Sequence, residues 1–471
     1  MLRLIWSTGL SGSVISSMLD HTCSAKKCEY IPRILLGILL TISSAAQAAG
    51  FALTEQSGGS IGNAFAGAGS VAEDASTILS NPAGLSRVNG SQLVVAGYAI
   101  KSSINFNNTD SRTLIGAGVG DPLLSGGSGG DAGDWALVPN VYLATDINDR
   151  IKIGLGINSP FGLKTEYDSR WAGRYDAIRS DLKTININPA MAYQVNNRLS
   201  FGFGINAQYI SAELSNAADF GSICAMAGVA TCADHQVRDG SLELKGNDLS
   251  WGYNLGLLLE PVQGTRLGFA YRSRVGHHLK GDAKFSNVPI ELTGLPDLAN
   301  GSIKADITLP ENALISILHQ FNDRWNIMGD VIWTRWSQFK ELSVERSSGA
   351  LIGITQEHWH NTRRYALGAT YKYNDEWKLR FGVAYDESPV SDAYLTPRIP
   401  DQSRWILGLG ANFRVSTADS LDIGYLHIFM KDASLNLNNP VLPTQPGVSR
   451  SLVGDYDSDV DVLSMQYTHT F

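Results

Sequence analysis

The sequence contains few charged residues and no excess of basic ones. Lys, Arg, Asp and Glu make up 17% of the 471 residues, whereas soluble domains average about 25%. The formal net charge is −8, which argues against a nucleic-acid partner because no basic surface exists to neutralise phosphates. A chain of this length forms either two or three soluble domains or one large closed structure.

Long apolar runs are missing from residue 49 onward. No segment there approaches the roughly 20 residues of a membrane helix, so a helical inner-membrane protein is not predicted. In the part of the chain before residue 49, basic residues precede an apolar run (34–42) and the small-residue tripeptide 46–48, as in a secretory signal peptide. The run is too short for a membrane anchor. We predict that residues 1–48 are a signal peptide, with Met18 as an alternative start because the preceding segment is unusually long.

Cysteine is scarce, with four residues in the chain. Cys23 and Cys28 fall within the predicted signal peptide, which leaves Cys224 and Cys232 in an exported chain. Exported proteins meet an oxidising environment, so we predict a disulfide that closes a short loop. The spacing and the lack of nearby His or Cys partners argue against a metal site.

Alternating strands fill the chain from residue 92 onward. In the segment 199–209, for example, large apolar side chains alternate with small and polar ones. Period two over about eight to ten residues indicates a half-buried strand and suits the length of a tilted membrane strand. Such runs predict fourteen strands: 92–106, 135–147, 150–158, 181–196, 199–212, 248–260, 265–276, 303–320, 325–337, 360–373, 376–387, 402–415, 420–431 and 458–471.

The connections between these predicted strands alternate in length. Short ones rich in Asn, Asp and Gly, such as Asn148-Asp149 and Asn374-Asp375, alternate with long ones. Outer-membrane barrels have this pattern, with short periplasmic turns and long external loops, whereas a soluble sandwich has no reason to separate loop lengths by end. The predicted fold is all-β, a 14-stranded antiparallel transmembrane β-barrel (92–471) of the Gram-negative outer membrane.

The segment before the first strand is composed mainly of small residues. Residues 57–86 are too rich in glycine for a stable helix and alternate too poorly for a strand. The inward faces of the predicted strands are also rich in glycine, which indicates that something lies close to the inner wall. We therefore predict that residues 49–91 form an N-terminal hatch that plugs the barrel.

The sequence resembles the FadL-type outer-membrane transporters of long-chain fatty acids and other hydrophobic compounds over the whole mature chain. The resemblance lies in the stretches AGFALTEQSGGSIGNAFAGAGSVAEDAS with NPA, SPFGLKTEYDSRWAGRY, YRSRVGHHLKGDAKF, LPENA, WTRWSQFKEL and YDESPVSDAYLTPRIPDQSRW, and in the terminal Phe471. It implies a passive channel. Substrate lands on an external apolar groove, moves to a site inside the barrel and leaves past the hatch through a kink in the third strand.

The resemblance assigns the hatch motif to Asn81, Pro82 and Ala83, and the kink to Ser159, Pro160, Phe161 and Gly162. Proline has no donor for a ladder and glycine has no side chain to fill the wall, so this pair can interrupt strand pairing. From the residues alone, the favoured alternative is that the stretch simply ends the third strand at an external loop.

The implied external groove involves the loops around 213–247 and 277–302. Its apolar residues Ile223, Met226 and Val229 would form a landing surface, since an apolar run is unusual in an outside loop. The alternative is that they form the loop's own small core beside Cys224 and Cys232, and the two roles are compatible.

Fatty-acid transporters of this type are expected to place basic residues beside the substrate carboxylate. At the two expected positions this chain has Asn216 and Thr355. Inward-facing charged residues offer substitutes, namely Arg272, Arg274, Arg364, Arg380 and Asp386, although salt bridges inside the barrel explain them as well. The departure from the pattern leaves room for a neutral aromatic substrate.

The first functional prediction is thus a monomeric channel for long-chain fatty acids in contact with outer-membrane lipid, with no cofactor, metal or catalysis. A channel for aromatic hydrocarbons is the second, and a general diffusion porin the third. A hydrolase is the last, because the G-x-S-x-G match at residues 126–130 lies in a Gly/Ser-rich loop rather than at a strand-to-helix turn. A hatch argues against the porin, which would need an open lumen.

Overall fold

The structure is a computed structural model that describes residues 49–118, 120–442 and 445–471. The predicted signal peptide (1–48), with Met18, Cys23 and Cys28, lies outside the described residues. No helix within the described part of the chain combines the length and the apolar character needed to cross a membrane.

Strands dominate the described chain. Their bounds are β1 Gln92–Asn108, β2 Arg112–Ile115, β3 Trp135–Asn148, β4 Ile151–Asn158, β5 Gly162–Glu166, β6 Arg179–Asn196, β7 Leu199–Asp219, β8 Asp239–Val262, β9 Thr265–Arg272, β10 Val275–Ser286, β11 Gly301–Leu309, β12 Asn312–Gln320, β13 Trp325–Thr334, β14 Glu341–Arg346, β15 Leu351–Gln356, β16 Thr362–Lys372, β17 Trp377–Asp386, β18 Arg404–Arg414, β19 Asp419–Met430, β20 Ala433–Leu442 and β21 Gln445–Thr470. The helices are short: α1 Thr77–Ser80, α2 Phe220–Met226 and 3₁₀ turns at Ile61–Asn63, Pro82–Arg87, Ala230–Cys232, Ile290–Leu292, Pro296–Leu298, Trp336–Gln338 and Asp392–Tyr394.

These strand segments close into one antiparallel barrel. β1 pairs with β3 on one side and with β21 on the other, where Gln92 lies opposite Thr470. Six wall strands consist of two segments each, namely β4–β5, β9–β10, β11–β12, β13–β14, β15–β16 and β19–β20. β2 is an additional short segment that pairs near the start of β21. The predicted fourteen-stranded antiparallel barrel is confirmed.

The two faces of the wall differ in chemistry. The outer face carries large apolar side chains that remain exposed, for example Phe201, Trp251 and Leu409. The inner face holds small and polar residues, such as the buried Ser200 and Asn254. A continuous apolar exterior of this size is stable only against another apolar phase, so the wall is suited to lipid.

Several strands continue beyond their apolar alternation. β7 reaches Asp219, although the alternation predicts an end at residue 212. In this extension Glu213 lies 3.5 Å from the Nζ atom of Lys245 on β8, so charged pairs replace apolar side chains on the outer face. The predicted long connection between residues 337 and 360 is likewise mostly a hairpin of β14 and β15. Ladder hydrogen bonds come from the backbone and therefore persist where the wall leaves the lipid.

Residues 49–91, called the N-terminal segment below, lie inside the barrel. Ile61 and Phe65 of this segment pack in one buried cluster with Tyr98 and Leu426 of the wall. Ile78 and Leu85 pack in a second cluster with other wall residues. The core of the protein therefore lies between the segment and the wall rather than between two sheets.

Glycines on the inner wall permit this close packing. A Cβ atom on Gly202 would lie 2.1 Å from the amide nitrogen of Ala83, and one on Gly382 would lie 2.0 Å from the carbonyl carbon of Asn63. Cβ atoms do not approach backbone this closely, so any larger residue at these positions would displace the N-terminal segment.

Candidate functional site

The wall is interrupted between β4 and β5. Pro160, which lies between these segments, has no amide hydrogen for a ladder. β4 pairs with both β3 and β6, whereas the pairings described for β5 are with β6 alone. The predicted kink residues 159–162 therefore lie where the ladder between the second and third wall strands stops.

The N-terminal segment occupies this break. The Leu53 amide donates to the carbonyl of Pro160 at 2.9 Å, and the Gly162 amide donates to the carbonyl of Phe51 at 2.9 Å. On the other side, Nδ2 of Asn140 on β3 donates to the carbonyl of Glu55 at 3.0 Å. The segment thus bridges the two wall strands that do not pair directly here.

Phe51 anchors the same stretch through an aromatic cluster. Its ring centroid lies 4.9 Å from that of Trp336, 5.7 Å from that of Trp359 and 5.8 Å from that of Phe339. Phe161 of the kink is 6.0 Å from Phe51. Trp336, Phe339 and Trp359 lie in the two interruptions that separate β13 from β14 and β15 from β16, and all three are buried.

An apolar cavity of about 90 Å³ adjoins this cluster, since Phe51 and Phe339 also line it. Most of its remaining walls are aliphatic side chains of β5 to β15, including Leu182, Leu244, Leu279, Ile303, Ile307, Leu342 and Val344. Two ionisable groups from connections, Glu357 and Arg398, face the same space. The cavity can therefore take an apolar chain whose end meets a charged group.

Arg398 and Glu357 are both affected by burial. Nη1 of Arg398 donates to Oγ of Ser180 at 3.2 Å, and Nη2 donates to Oδ1 of Asn216 at 3.4 Å. Burial lowers the pKa of Arg398 to about 10, so it stays charged at neutral pH. Burial also raises the pKa of Glu357 to about 8, although Nε1 of Trp359 donates to this carboxyl at 2.8 Å. The cavity therefore holds a cation and a carboxyl group whose neutral form is favoured by burial.

Arg398 is the residue that sequence reasoning missed. The two positions expected to be basic, Asn216 and Thr355, do come together here, since Asn216 bonds Arg398 and Thr355 lines the cavity. The guanidinium reaches Asn216 from a third element, the connection between β17 and β18. Such a connection has no alternation that shows where a side chain points. Its position in the stretch LTPRIPDQSRW was the only available signal.

A second cavity, of about 190 Å³, separates the N-terminal segment from the wall. It extends from Pro160 and Trp336 at the kink to Glu73, whose ion-pair partner Lys378 lies at the start of β17. Four of the predicted lumen charges line it, namely Arg272, Arg364, Arg380 and Asp386. The fifth, Arg274, is exposed and donates to Oε1 of Gln338 at 3.1 Å.

Arg380 acts as interior ion-pair scaffolding, whereas Arg364 forms no ion pair among the described residues. Arg380 pairs with Asp422 and also lies 2.8 Å from Glu73. Arg364 is directly opposite Asp386 in the β16–β17 register and donates to the carbonyl of Ala64 at 2.7 Å. Both thereby hold the N-terminal segment against the wall.

The predicted hatch motif lies where the N-terminal segment meets β7 and β8. Asn81 is fully buried, and its Nδ2 donates to the carbonyls of Gly69 at 2.7 Å and Leu257 at 3.1 Å. Its Oδ1 accepts from the Ala83 amide at 3.1 Å, which caps the turn that begins at Pro82. The motif therefore ties two parts of the segment to each other and to the wall.

The apolar loop residues form a compact cluster outside the lumen. Cys224 and Cys232 are joined by a disulfide, and Ile223 is buried beside them. Met226 and Val229 are partly buried against the same cluster, which includes residues of the neighbouring loop. Ile290 of that neighbouring loop is 81% exposed, so apolar surface remains accessible next to the cluster.

The G-x-S-x-G match shows no nucleophile geometry. Residues 126–130 lie in a connection between β2 and β3, and Oγ of Ser128 accepts from the Asn108 amide at 3.4 Å. A nucleophile elbow needs a strand that turns directly into a helix, and the described residues between β2 and β3 contain no helix.

A closed barrel with a lipid-suited exterior and an interior filled by its own N-terminal segment defines the class of outer-membrane transport barrels. The family model "Outer membrane protein transport protein (OMPP1/FadL/TodX)" matches residues 39–471. The chain belongs to this family, whose members are transporters, and it is an outer-membrane protein.

Several relatives are similar over nearly their full length. The long-chain fatty acid transport proteins of Salmonella typhi and Escherichia coli K12 are 31% and 30% identical, and both alignments cover 88% of this chain and 94% and 95% of the relative. A solved FadL homologue of Pseudomonas aeruginosa is 28% identical with a TM-score of 0.80, over 90% of this chain and all (100%) of that one. The Pseudomonas putida toluene transporter TodX shares the fold, with 18% identity and a TM-score of 0.62 over 84% of this chain and 94% of that one.

Proposed function

We propose that this protein is a passive channel for long-chain fatty acids. The observation that carries the proposal is the apolar cavity in which Arg398 faces aliphatic walls. Burying an alkyl chain contributes about 0.8 kcal/mol per CH₂ group, and a guanidinium can bind a carboxylate through two parallel hydrogen bonds. The similarity to proteins named for long-chain fatty acid transport supports this substrate.

The substrate first meets the loop surface. Ile223, Met226 and Val229 support an apolar groove from beneath, and Ile290 adds exposed apolar area at its edge. From there the fatty acid enters the apolar cavity, where its carboxylate binds Arg398. No energy input is needed, because each step moves the chain into a site of higher affinity.

Release requires the N-terminal segment to move, so the segment acts as a hatch. A substrate in the apolar cavity contacts Phe51. Phe51 lies two residues before Leu53, whose amide donates the hydrogen bond to Pro160. Displacing this stretch frees the break at Ser159–Gly162, through which the apolar tail can leave between wall strands. The Asn81-Pro82-Ala83 turn keeps the rest of the hatch attached.

A channel for neutral aromatic hydrocarbons is the second candidate. The aromatic cluster around Phe51 favours it. Arg398 argues against it, because a charged group beside an apolar cavity is costly unless an anion binds there. A general diffusion porin fits less well, since the N-terminal segment fills the lumen.

The remaining features follow from a role in transport. We infer a monomer in contact with outer-membrane lipid, without catalysis, metal or cofactor. We also infer that the signal peptide is removed after Ala48, which leaves a mature chain of residues 49–471. Intact-mass measurement of the purified protein would test both the cleavage position and, in native conditions, the monomer.

Uptake by cells that lack their own transporter tests the function. Labelled oleate and labelled toluene should be supplied to cells with the wild type, with Arg398→Gln and with Asn81–Ala83 deleted. We expect oleate uptake with the wild type and a strong loss in both variants. Toluene uptake without oleate uptake would move the assignment to aromatic hydrocarbons, and free passage of small sugars would indicate a porin.

A further inference from the structure

Arg364 and Arg272 line the larger cavity without an ion-pair partner among the described residues, and the less buried of the two is Arg272. Its Nη2 donates to the carbonyl of Leu79 at 2.8 Å, and Nε has no partner among the described residues. Within the same described part of the chain, no carboxylate lies within ion-pair distance of it, whereas Arg380 has two such partners. Arg272 is partly buried, and its Nε atom is shielded from water without a described partner. A cation in such a position without a counter-ion is costly, and binding an anion relieves that cost.

The surroundings of Arg272 suit the end of an amphipathic molecule. Its direct cross-strand neighbours are the neutral amides Asn254 and Asn312. The cavity that it lines also reaches Pro160 and Phe161 at the kink. A molecule whose tail lies at the break in the wall can therefore place a polar end at Arg272 without crossing an apolar barrier.

We propose that Arg272 is a second binding point for the substrate carboxylate, used after the headgroup leaves Arg398. This inference rests on the proposed function. The inference extends the proposed function, because it names a carboxylate, rather than a neutral end group, as the group that is bound near the kink. The headgroup stays bound at Arg272 while the tail leaves through the wall.

The position of Arg272 also couples the headgroup to the hatch. The same guanidinium holds Leu79, which lies in α1, two residues before Asn81. A carboxylate that takes up the Nη2 and Nε donors competes with the Leu79 carbonyl. Arrival of the headgroup therefore loosens the end of α1 next to the hatch motif.

Arg266 provides a matched control. It lies on the same inward face of β9, and its Nη1 donates to the carbonyl of Val71 at 2.7 Å. Like Arg272 it tethers the N-terminal segment through a backbone carbonyl, but it does not line the larger cavity. A loss of tethering alone should affect Arg266→Gln and Arg272→Gln alike.

The test compares Arg272→Gln, Arg272→Lys and Arg266→Gln in cells that lack their own transporter. The substrates are labelled oleate and labelled oleyl alcohol, which has a chain of the same length and a neutral end. We expect oleate uptake to fall about tenfold in Arg272→Gln, the loss of one charge-assisted hydrogen bond, while oleyl alcohol uptake is kept. Arg272→Lys should retain most oleate uptake because it retains the charge.

The outcomes separate this inference from the proposed function. If the wild type takes up no oleate, the proposed function fails. If the wild type takes up oleate and Arg272→Gln matches Arg266→Gln, only the role of Arg272 fails. An equal loss of oleate uptake and oleyl alcohol uptake in Arg272→Gln would also overturn the proposed role of Arg272, since that result would indicate a damaged hatch. Oleate affinity of the purified Arg272→Gln protein should stay at the wild-type value, because Arg398 is intact.

Discussion

The amide of Leu53 donates a 2.9 Å hydrogen bond to the carbonyl of Pro160. Leu53 belongs to the N-terminal segment, and Pro160 lies at the one described break in the ladder between the second and third wall strands. Because the segment itself fills this break, opening the wall and moving the segment are a single event. Mutations that weaken the docking of the segment should therefore open the barrel without unfolding it.

Phe51→Ala should open the barrel in this way. The substitution removes the ring at the centre of the aromatic cluster, and burying such a ring is worth about 3–5 kcal/mol in a packed core. We expect a higher single-channel conductance in planar bilayers. Phe321→Ala is the control, because Phe321 is 68% exposed between β12 and β13. Equal conductance in the two variants would contradict the docking role of Phe51.

Gly382→Leu should displace the N-terminal segment by steric overlap. Its Cβ would lie 2.0 Å from the carbonyl carbon of Asn63, and backbone cannot yield as a flexible side chain can. We expect faster proteolysis of residues 49–91, with the barrel still resistant to heat-induced unfolding in detergent. Gly97→Leu is the matched control, since a Cβ at Gly97 meets nothing within 4 Å. Protection of the segment in Gly382→Leu would show that it packs elsewhere.

Fatty-acid binding should weaken at alkaline pH. Burial raises the pKa of Glu357 to about 8 from its ordinary value of 4.5, so the group is neutral below pH 8 and ionised above it. Ionised Glu357 repels the substrate carboxylate and competes for Arg398, so oleate affinity should fall about tenfold between about pH 7 and 9. By the same shift in pKa, the folded state loses stability as the pH rises from about 4.5 to about 8, and little further above that.

Glu357→Gln isolates this effect. The variant stays neutral at all pH values, so its oleate affinity should be constant over the same range. Oleyl alcohol provides a neutral reference ligand and should bind equally at both ends of the range. Isothermal titration of both purified proteins in detergent, with each ligand at about pH 7 and about pH 9, measures these affinities. A pH dependence that survives in Glu357→Gln would assign the effect to another group.

Removing the disulfide should destabilise the loop but not the barrel. The bond between Cys224 and Cys232 spans eight positions, and closing so short a loop contributes about 2–3 kcal/mol through the unfolded state. Cys224→Ser with Cys232→Ser should expose α2 to proteolysis and weaken oleate binding at the proposed external groove. Strand protection in hydrogen exchange should be unchanged. Loss of protection in β7 and β8 would instead show that the loop stabilises the wall.

The sequence alone determined the wall of this protein. Period-two alternation of large apolar side chains shows directly which side of each strand faces the lipid. Every outward residue contacts lipid, so its apolar character does not depend on which other residues pack near it. The sequence also predicted the number of strands and the glycine-rich inner face. It missed the strand extensions, such as the one to Asp219, because backbone pairing above the lipid requires no apolar pattern.

Only the tertiary structure decided what lies in the lumen. Arg398 reaches the apolar cavity from a connection. Arg272 and Arg380 both point inward from their strands, yet Arg272 meets a backbone carbonyl and Arg380 meets a carboxylate. Alternation shows that a side chain points inward, but not which distant carboxylate or carbonyl meets it. These contacts join residues far apart in the chain, so they exist only once the barrel has closed around its N-terminal segment.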